Sequence, residues 1–455
     1  MTDLGEQLSV FRSPGSILDG DAAAPPDEVE LQRTHIAESE SALLPVGVVY
    51  QAQWRIAGDG MASHARAQVL AIAEAGIPVR LQSISQMGRL LDAEVDPSVM
   101  AEVGWLQRVS FSNVVIAVRQ LVLYSMDFAR NTLLPAAVRV AGHEYEQKVL
   151  DSTIVYTSWE RDTASRDLID LLSRCNQLWV PCKDNARAFI DAGMPEEKVH
   201  VVPCPYVPGV GPAGIAAPFG GERVPDGKRF YTIGKWEPRK NLPGLLRAFL
   251  RGFTPKERVS LALKTSGFET WKDHPSLNEL IAQLADDPVV RKNGWTADKL
   301  VQRVSIINGK IPEEALLDLH KRNNIYVSAA HGEAFEMSAF AARCAGNRLV
   351  YTGWGGPRDF AGHDDVAIEH TMGPVHPEYN WEPDAKWAVY EEEALIEAMR
   401  KAEPPSKRIH PPSFNRRFSR HAVGKKMRKL LLRAAQDVGG ATARNAIDGH
   451  LGSFG

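Results

Sequence analysis

Short apolar, β-branched runs recur along the chain, separated by stretches with helical periodicity. Val46–Tyr50 is the first, read as a buried strand. Gly58, Asp59 and Gly60 then make a loop, and Ala65, Val69, Ile72 and Ala73 share one helical face. Gly76 ends that helix and Ile77–Leu81 supplies a second strand. Further strands are predicted at Asn113–Ala117, Thr153–Thr157, Gln177–Val180 and Val199–Val202. A second series opens with Arg229–Ile233 and a helix over Leu242–Leu250, where Leu245, Leu246 and Phe249 share a face. It continues with strands at Val259–Leu263, Val304–Ile307, Ile325–Val327 and Leu349–Tyr351. Strands alternating with helices predict mainly parallel sheets covered on both faces. The expected fold class is α/β, with two doubly wound, Rossmann-like domains facing a central cleft.

These patterns divide the chain into a flexible leader at 1–45, an N-terminal domain at 46–205 and a linker at 206–228. A C-terminal domain at 229–405, a basic crossover helix at 406–435 returning to the first domain, and a tail at 436–455 complete it. Two large domains suit a chain of 455 residues, at about 100–200 residues per domain. A formal net charge of -3 argues against generalised binding to nucleic acid or membranes, and leaves local patches open. No apolar run reaches the roughly 18 residues that span a bilayer, and the first residues lack the pattern of a signal peptide, so the cytoplasm is the expected compartment. Cys175, Cys182, Cys204 and Cys344 lack zinc-site spacing and read as buried, reduced thiols.

Candidate chemistry gathers where second-series strands end. Gly234–Asn241 holds Lys235, Arg239 and Lys240 just before a helix, where three cations could meet a diphosphate. Lys264, at the end of the next strand, adds charge at the same sheet edge. Ile307–Ile311, with Lys310, precedes a helix opened by Pro312, and its backbone could bind the edge of a nucleobase. Ala329–Gly346 links a strand to a helix and supplies Glu333 and Glu336.

In this order the segments resemble the donor domain of GT-B-fold retaining glycosyltransferases of the family 4 type. Gly234–Phe249 is similar to the strand-loop-helix that opens that domain, Ile307–His320 to its base-proximal loop, Glu333–Gly346 to its Glu-x7-Glu element and Gly355-Gly356-Pro357 to the Gly-Gly after the next strand. Gly58–Met61 takes the place of the Gly-rich loop of the first domain, and Ile154–Glu160 resembles a mid-domain strand and its exit. The resemblance spans roughly 46–433. It implies transfer of a sugar from a nucleoside-diphosphate-sugar co-substrate to a hydroxyl acceptor, with retention and with no metal or other cofactor. In that scheme Lys235, Arg239 and Lys240 neutralise the leaving diphosphate and Lys264 adds field. Backbone near Lys310 and Ile311 seats the base, and Gly58 and Gly60 admit the phosphates. Glu333 holds the sugar hydroxyls, and Ala334, Phe335, Glu336, Met337 and Ser338 line the donor. Asp19-Gly20-Asp21 spells the Asp-x-Asp of metal-dependent enzymes, but it lies in the leader after no strand.

Several positions depart from the pattern. The second Glu is Ala341, which cannot accept bonds from ribose hydroxyls. Glu336, where the family usually has Gly, either turns inward as a replacement or stabilises the helix N-terminus; Ser338 replaces a Pro. The usual His at the first-domain strand exit is replaced by Ser158-Trp159-Glu160, so Glu160 is either a catalytic base or hydroxyl ligand, or a surface residue beside a core Trp159. Ala341 also admits a non-catalytic GT-B-like protein that binds a sugar, nucleotide or partner. From Lys407 to Arg433 the chain has ten Lys and Arg and no acid. That run is either the solvated face of the crossover helix or the seat of an anionic partner, a membrane surface or a nucleic acid that carries the acceptor.

Overall fold

The structure, a computed structural model, describes residues 46–55, 60–84, 95, 97–109, 114–121, 123, 136–140, 143–147, 153–206, 226–266, 275–309, 311–379, 382 and 384–451. The leader with Asp19 and Asp21, Gly58, Lys310 and most of the predicted linker lie outside the described residues. The chain divides into two compact units. One includes the described residues of Pro208–Phe414, the other those of Ala24–Val207 with Asn415–Gly455.

In the unit that holds the N-terminal half, the strands are β1 (Val46–Ala52), β2 (Val79–Ser83), β3 (Val114–Leu121), β4 (Ala136–Val140), β5 (His143–Gln147), β6 (Thr153–Thr157), β7 (Gln177–Val180) and β8 (Val199–Val201). Six form a parallel sheet in the order β2-β1-β3-β6-β7-β8, and β4 and β5 pair separately as an antiparallel hairpin. The predicted strand at Ile77 starts two residues late because Pro78 has no N–H to give; its carbonyl instead accepts from Val48 N at 2.9 Å. Gly76 ends the helix Gly60–Glu74 at a φ of 76°. Against that helix packs the C-terminal helix Arg420–Leu451, through Val423, Met427, Leu430, Leu431 and Ala434, which join the same core as Ala65, Val69 and Ile72. Arg420 pairs with Glu74 and Arg428 Nη1 donates to Ala75 O at 2.9 Å, so polar contacts at this seam fix the register of the two helices.

The other unit contains β9 (Lys228–Ile233), β10 (Val259–Thr265), β11 (Val304–Asn308), β12 (Ile325–Ser328), β13 (Arg348–Thr352), β14 (Val366–Ile368), β15 (Thr371–Pro374) and β16 (Lys386–Val389). Its parallel sheet runs β11-β10-β9-β12-β13-β14, and β15 and β16 form a small antiparallel pair. Phe230, Leu261, Val327 and Val350 from the sheet pack with Leu245, Leu246 and Phe249 of the helix Leu242–Gly252. The strand order reverses direction between β9 and β12. Loops leaving these two strands therefore part to opposite faces and open a crevice at the carboxyl edge. Two parallel six-stranded sheets flanked by helices constitute the GT-B fold. Among the described residues no helix is long and apolar enough to cross a membrane.

The helix seam yields a stability prediction. Gly424 is buried, and a Cβ there would run into the carbonyl of Ala71 on the facing helix. Gly424→Val should lower unfolding free energy by about 1–3 kcal/mol through overpacking, read as a fall in the denaturant midpoint at unchanged slope.

Candidate functional site

Three loops meet at the β9–β12 crevice. The first, Gly234–Asn241, leaves β9 and ends at Asn241, whose left-handed backbone (φ 49°) turns the chain into the helix Leu242–Gly252. Its Oδ1 accepts from Gly244 N at 3.2 Å and caps that helix. The second loop, Ala329–Glu336, leaves β12. His331 N donates to Arg239 O at 2.8 Å, and Asn241 Nδ2 donates to the Tyr390 hydroxyl at 3.0 Å while that hydroxyl donates to Ala329 O. The third leaves β13, and Gly356 N donates to Glu333 O at 2.7 Å. A Cβ at Gly355 would lie 2.5 Å from Glu333 O, and one at Gly356 2.5 Å from Ala334 O. Only glycine lets these two backbones approach so closely.

Glu333 is the centre of this weave and is buried. Arg239 Nη1 donates to its Oε1 at 2.9 Å and to Gly332 O at 2.8 Å, Arg239 Nη2 reaches Glu237 Oε1 at 2.8 Å, and Lys240 Nζ also donates to Glu333 Oε1. Burial works against the charge of Lys240, yet Glu333 outweighs it and holds the ammonium above its ordinary pKa. Burial likewise opposes ionised Glu237, but Arg239, Lys240 and Lys235 together keep its carboxyl below the usual range.

Glu336 turns inward. Its backbone is left-handed at φ 64°, a region that glycine enters more readily, and its carboxylate makes no cap to the helix Met337–Cys344. It accepts instead from Ser328 Oγ at 2.6 Å and the Tyr326 hydroxyl at 3.2 Å, both on β12. Burial first, then the charge of Glu333, raise this carboxyl to about 7 against the opposing pull of Lys240 and the two hydroxyl bonds. The Glu336 carboxyl, at the N-cap position of the helix, is thus held on β12 and does not cap the first turn. Ala341 packs with Ala345 and Leu317, in apolar surroundings.

The remaining candidates fall into place as follows. Arg239, Lys240, Glu333 and Glu336 come together; Lys235 is exposed on the same loop, and Ala334 and Phe335 are buried beside Glu333. Phe335 packs edge-on against Phe340 and at a tilt against Phe360, so it anchors the loop to its own unit. Met337 and Ser338 are half-buried in the first turn of the helix. Lys264 is half-buried on β10, next to Ile233, and desolvation lowers its pKa; Ile311 follows β11, two strands from β9. Gly60 and Glu160 belong to the other unit. Gly60 opens a helix, and a Cβ there would meet nothing, so close approach within its own unit does not require glycine. Trp159 is core: its indole donates to Thr163 O at 2.9 Å and its ring packs on Phe189, while Glu160 is half-buried after β6. Sequence reasoning missed Tyr326, Ser328, Glu237 and the stacking of His331 with Trp387 and with Tyr390. A hydroxyl at each of two inward β12 positions was the available signal for the first two.

Fold and site together define an α/β protein of the GT-B fold with a carboxylate–cation cluster at the topological switch point of one sheet. The chain is similar to the Anabaena protein Alr3699/HepE in complex with UDP and glucose, with a TM-score of 0.50 and 11% identity over 85% of this chain and 99% of that one. It is equally similar to the lipopolysaccharide outer core galactosyltransferase WaaB in its apo form, with a TM-score of 0.50 and 10% identity over 84% and 98%. No protein-family model and no curated protein matches the sequence.

Glu336 gives this unit a pH signature. Its folded pKa lies above the unfolded value of about 4.3, so between these values the native state keeps a proton that the unfolded chain releases, and stability falls as pH rises through the window. Denaturant unfolding at about pH 5 and about pH 8 should show the wild type losing stability relative to Glu336→Gln, which has no proton to lose.

Proposed function

We propose that the chain is a glycosyltransferase that takes a sugar from a nucleoside-diphosphate donor and passes it to a hydroxyl acceptor, with retention and without a metal. The observation that carries the reading is the seating of Arg239 and Lys240 on Glu333 at the switch point of a sheet whose fold is shared with a galactosyltransferase. The HepE structure, in complex with UDP and glucose, supports a uridine nucleotide as the donor half to test first.

In this reading the leaving diphosphate draws Lys240 and Arg239 towards its oxygens. Lys235, exposed on the same loop, and Lys264, with its lowered pKa, add positive field. Negative charge grows on the diphosphate as the glycosidic bond breaks, so fixed cations stabilise the transition state more than the bound donor. Glu333, released in part from Lys240, accepts from sugar hydroxyls. Four free, buried cysteines fit a reducing compartment, and the reading places the protein in the cytoplasm.

Lys240→Ala should lower turnover about a hundredfold or more, with a smaller effect on KM, when nucleoside diphosphate release is followed across a panel of sugar nucleotides. Near-normal turnover removes Lys240 from the mechanism. Ala341 among apolar neighbours motivates a second reading, a non-catalytic binder. It predicts that a sugar nucleotide raises the melting temperature while no member of the panel is cleaved.

A further inference from the structure

The charge run near the C-terminus takes a definite form in the helix Arg420–Leu451. Val423, Met427, Leu430, Leu431 and Ala434 are buried against its own unit, while His421, Lys425, Lys426, Lys429 and Arg433 are all exposed. At 100° per residue these five fall within a single face opposite the packed one, about 18 Å long at 1.5 Å per residue. Arg416 and Arg417 are exposed on the preceding helix Pro412–Phe418, and no acidic residue interrupts the sequence between Lys407 and Arg433.

The cations also concentrate their field. Arg433 lines a cavity of about 300 Å³ with Arg174 and Lys198, where Glu197 and Asp437 offset part of the charge. Burial, then Arg433 and Lys426, make the imidazole of His200 harder to protonate, so these side chains act on one region of the surface. A stripe of long, exposed cations along one helix suits a plane of diffuse negative charge. Apart from the imidazole of His421, the described part of the face offers no ring for stacking bases, and no Phe, Tyr or Trp of the kind single-stranded nucleic acid would use.

We propose that this face docks the protein on an anionic phospholipid bilayer. Attraction of this kind accumulates with each cation near the surface, weakens with salt and needs no inserted segment. It is independent of the catalytic reading, because every residue involved lies outside the β9–β12 crevice.

The full chain is tested by co-sedimentation with vesicles of phosphatidylcholine alone and of phosphatidylcholine with about one third phosphatidylserine. Binding is expected only to the second, falling as salt rises. The triple variant Lys425→Glu, Lys429→Glu, Arg433→Glu should weaken it about a hundredfold or more at an unchanged melting temperature. The same charge change at Lys256, Lys292 and Lys299, exposed on the other unit, should leave it intact and so separates location from net charge. Equal binding to both vesicles, or wild-type binding by the triple variant, overturns the proposal. So does salt-sensitive retention of duplex DNA or RNA that the triple variant loses while neither vesicle is bound, an outcome that assigns the face to nucleic acid.

Discussion

A single buried carboxylate organises the candidate site. Glu333 takes hydrogen bonds from Arg239 and Lys240 through its side chain and from Gly356 through its carbonyl, so the exits of β9, β12 and β13 are tied at one residue. Removing one partner of a buried ion pair costs about 3–5 kcal/mol because the other is left charged and unsolvated, whereas an intact pair adds little net stability. The cluster is therefore better understood as a constraint on geometry than as a source of stability. Arg239 shows why: its guanidinium spans Glu237, Gly332 and Glu333 at once, which fixes the loop on both sides of the switch point.

Backbone strain sits in the same place. Asn241 and Glu336 are the two described non-glycine residues with positive φ, and each immediately precedes a helix that starts at the crevice. Asn tolerates the left-handed region because its amide can bond locally, as it does to Gly244; Glu has no such relief. The Ser328 and Tyr326 hydroxyls hold the Glu336 side chain under the loop and so maintain a conformation that costs on the order of 1–3 kcal/mol.

The parallel sheets were legible in the sequence because strands buried on both faces read as continuous apolar runs, as in Val259–Leu263 and Ile325–Val327. The loops were legible too, since Gly-Gly, the cationic segment and Glu333 lie in fixed order between those strands. Side-chain direction was not. Lys240 and Arg239 looked like cations waiting for an anion, and only the tertiary fold shows that Glu333, some ninety residues away, already accepts from both. The fate of Glu336 depended on one backbone torsion that no local pattern specifies. The β15–β16 pair was missed because Thr371–Pro374 contains Gly and Pro, which argue against a strand, and so left Lys386–Val389 without a recognisable partner.

Glu336 has one more consequence. Lys235, Arg239 and Lys240 bring three positive charges to the cluster, and Glu237 and Glu333 two negative ones; the proton on Glu336 decides whether the sum is positive or zero. An anion settling beside Lys240 competes with the Glu336 carboxylate for the same cation and so favours its protonated form. In the proposed reading, a diphosphate held beside Lys240 would therefore bind together with a proton taken up by Glu336, and near neutral pH its heat of binding would contain the ionisation heat of the buffer that supplies that proton.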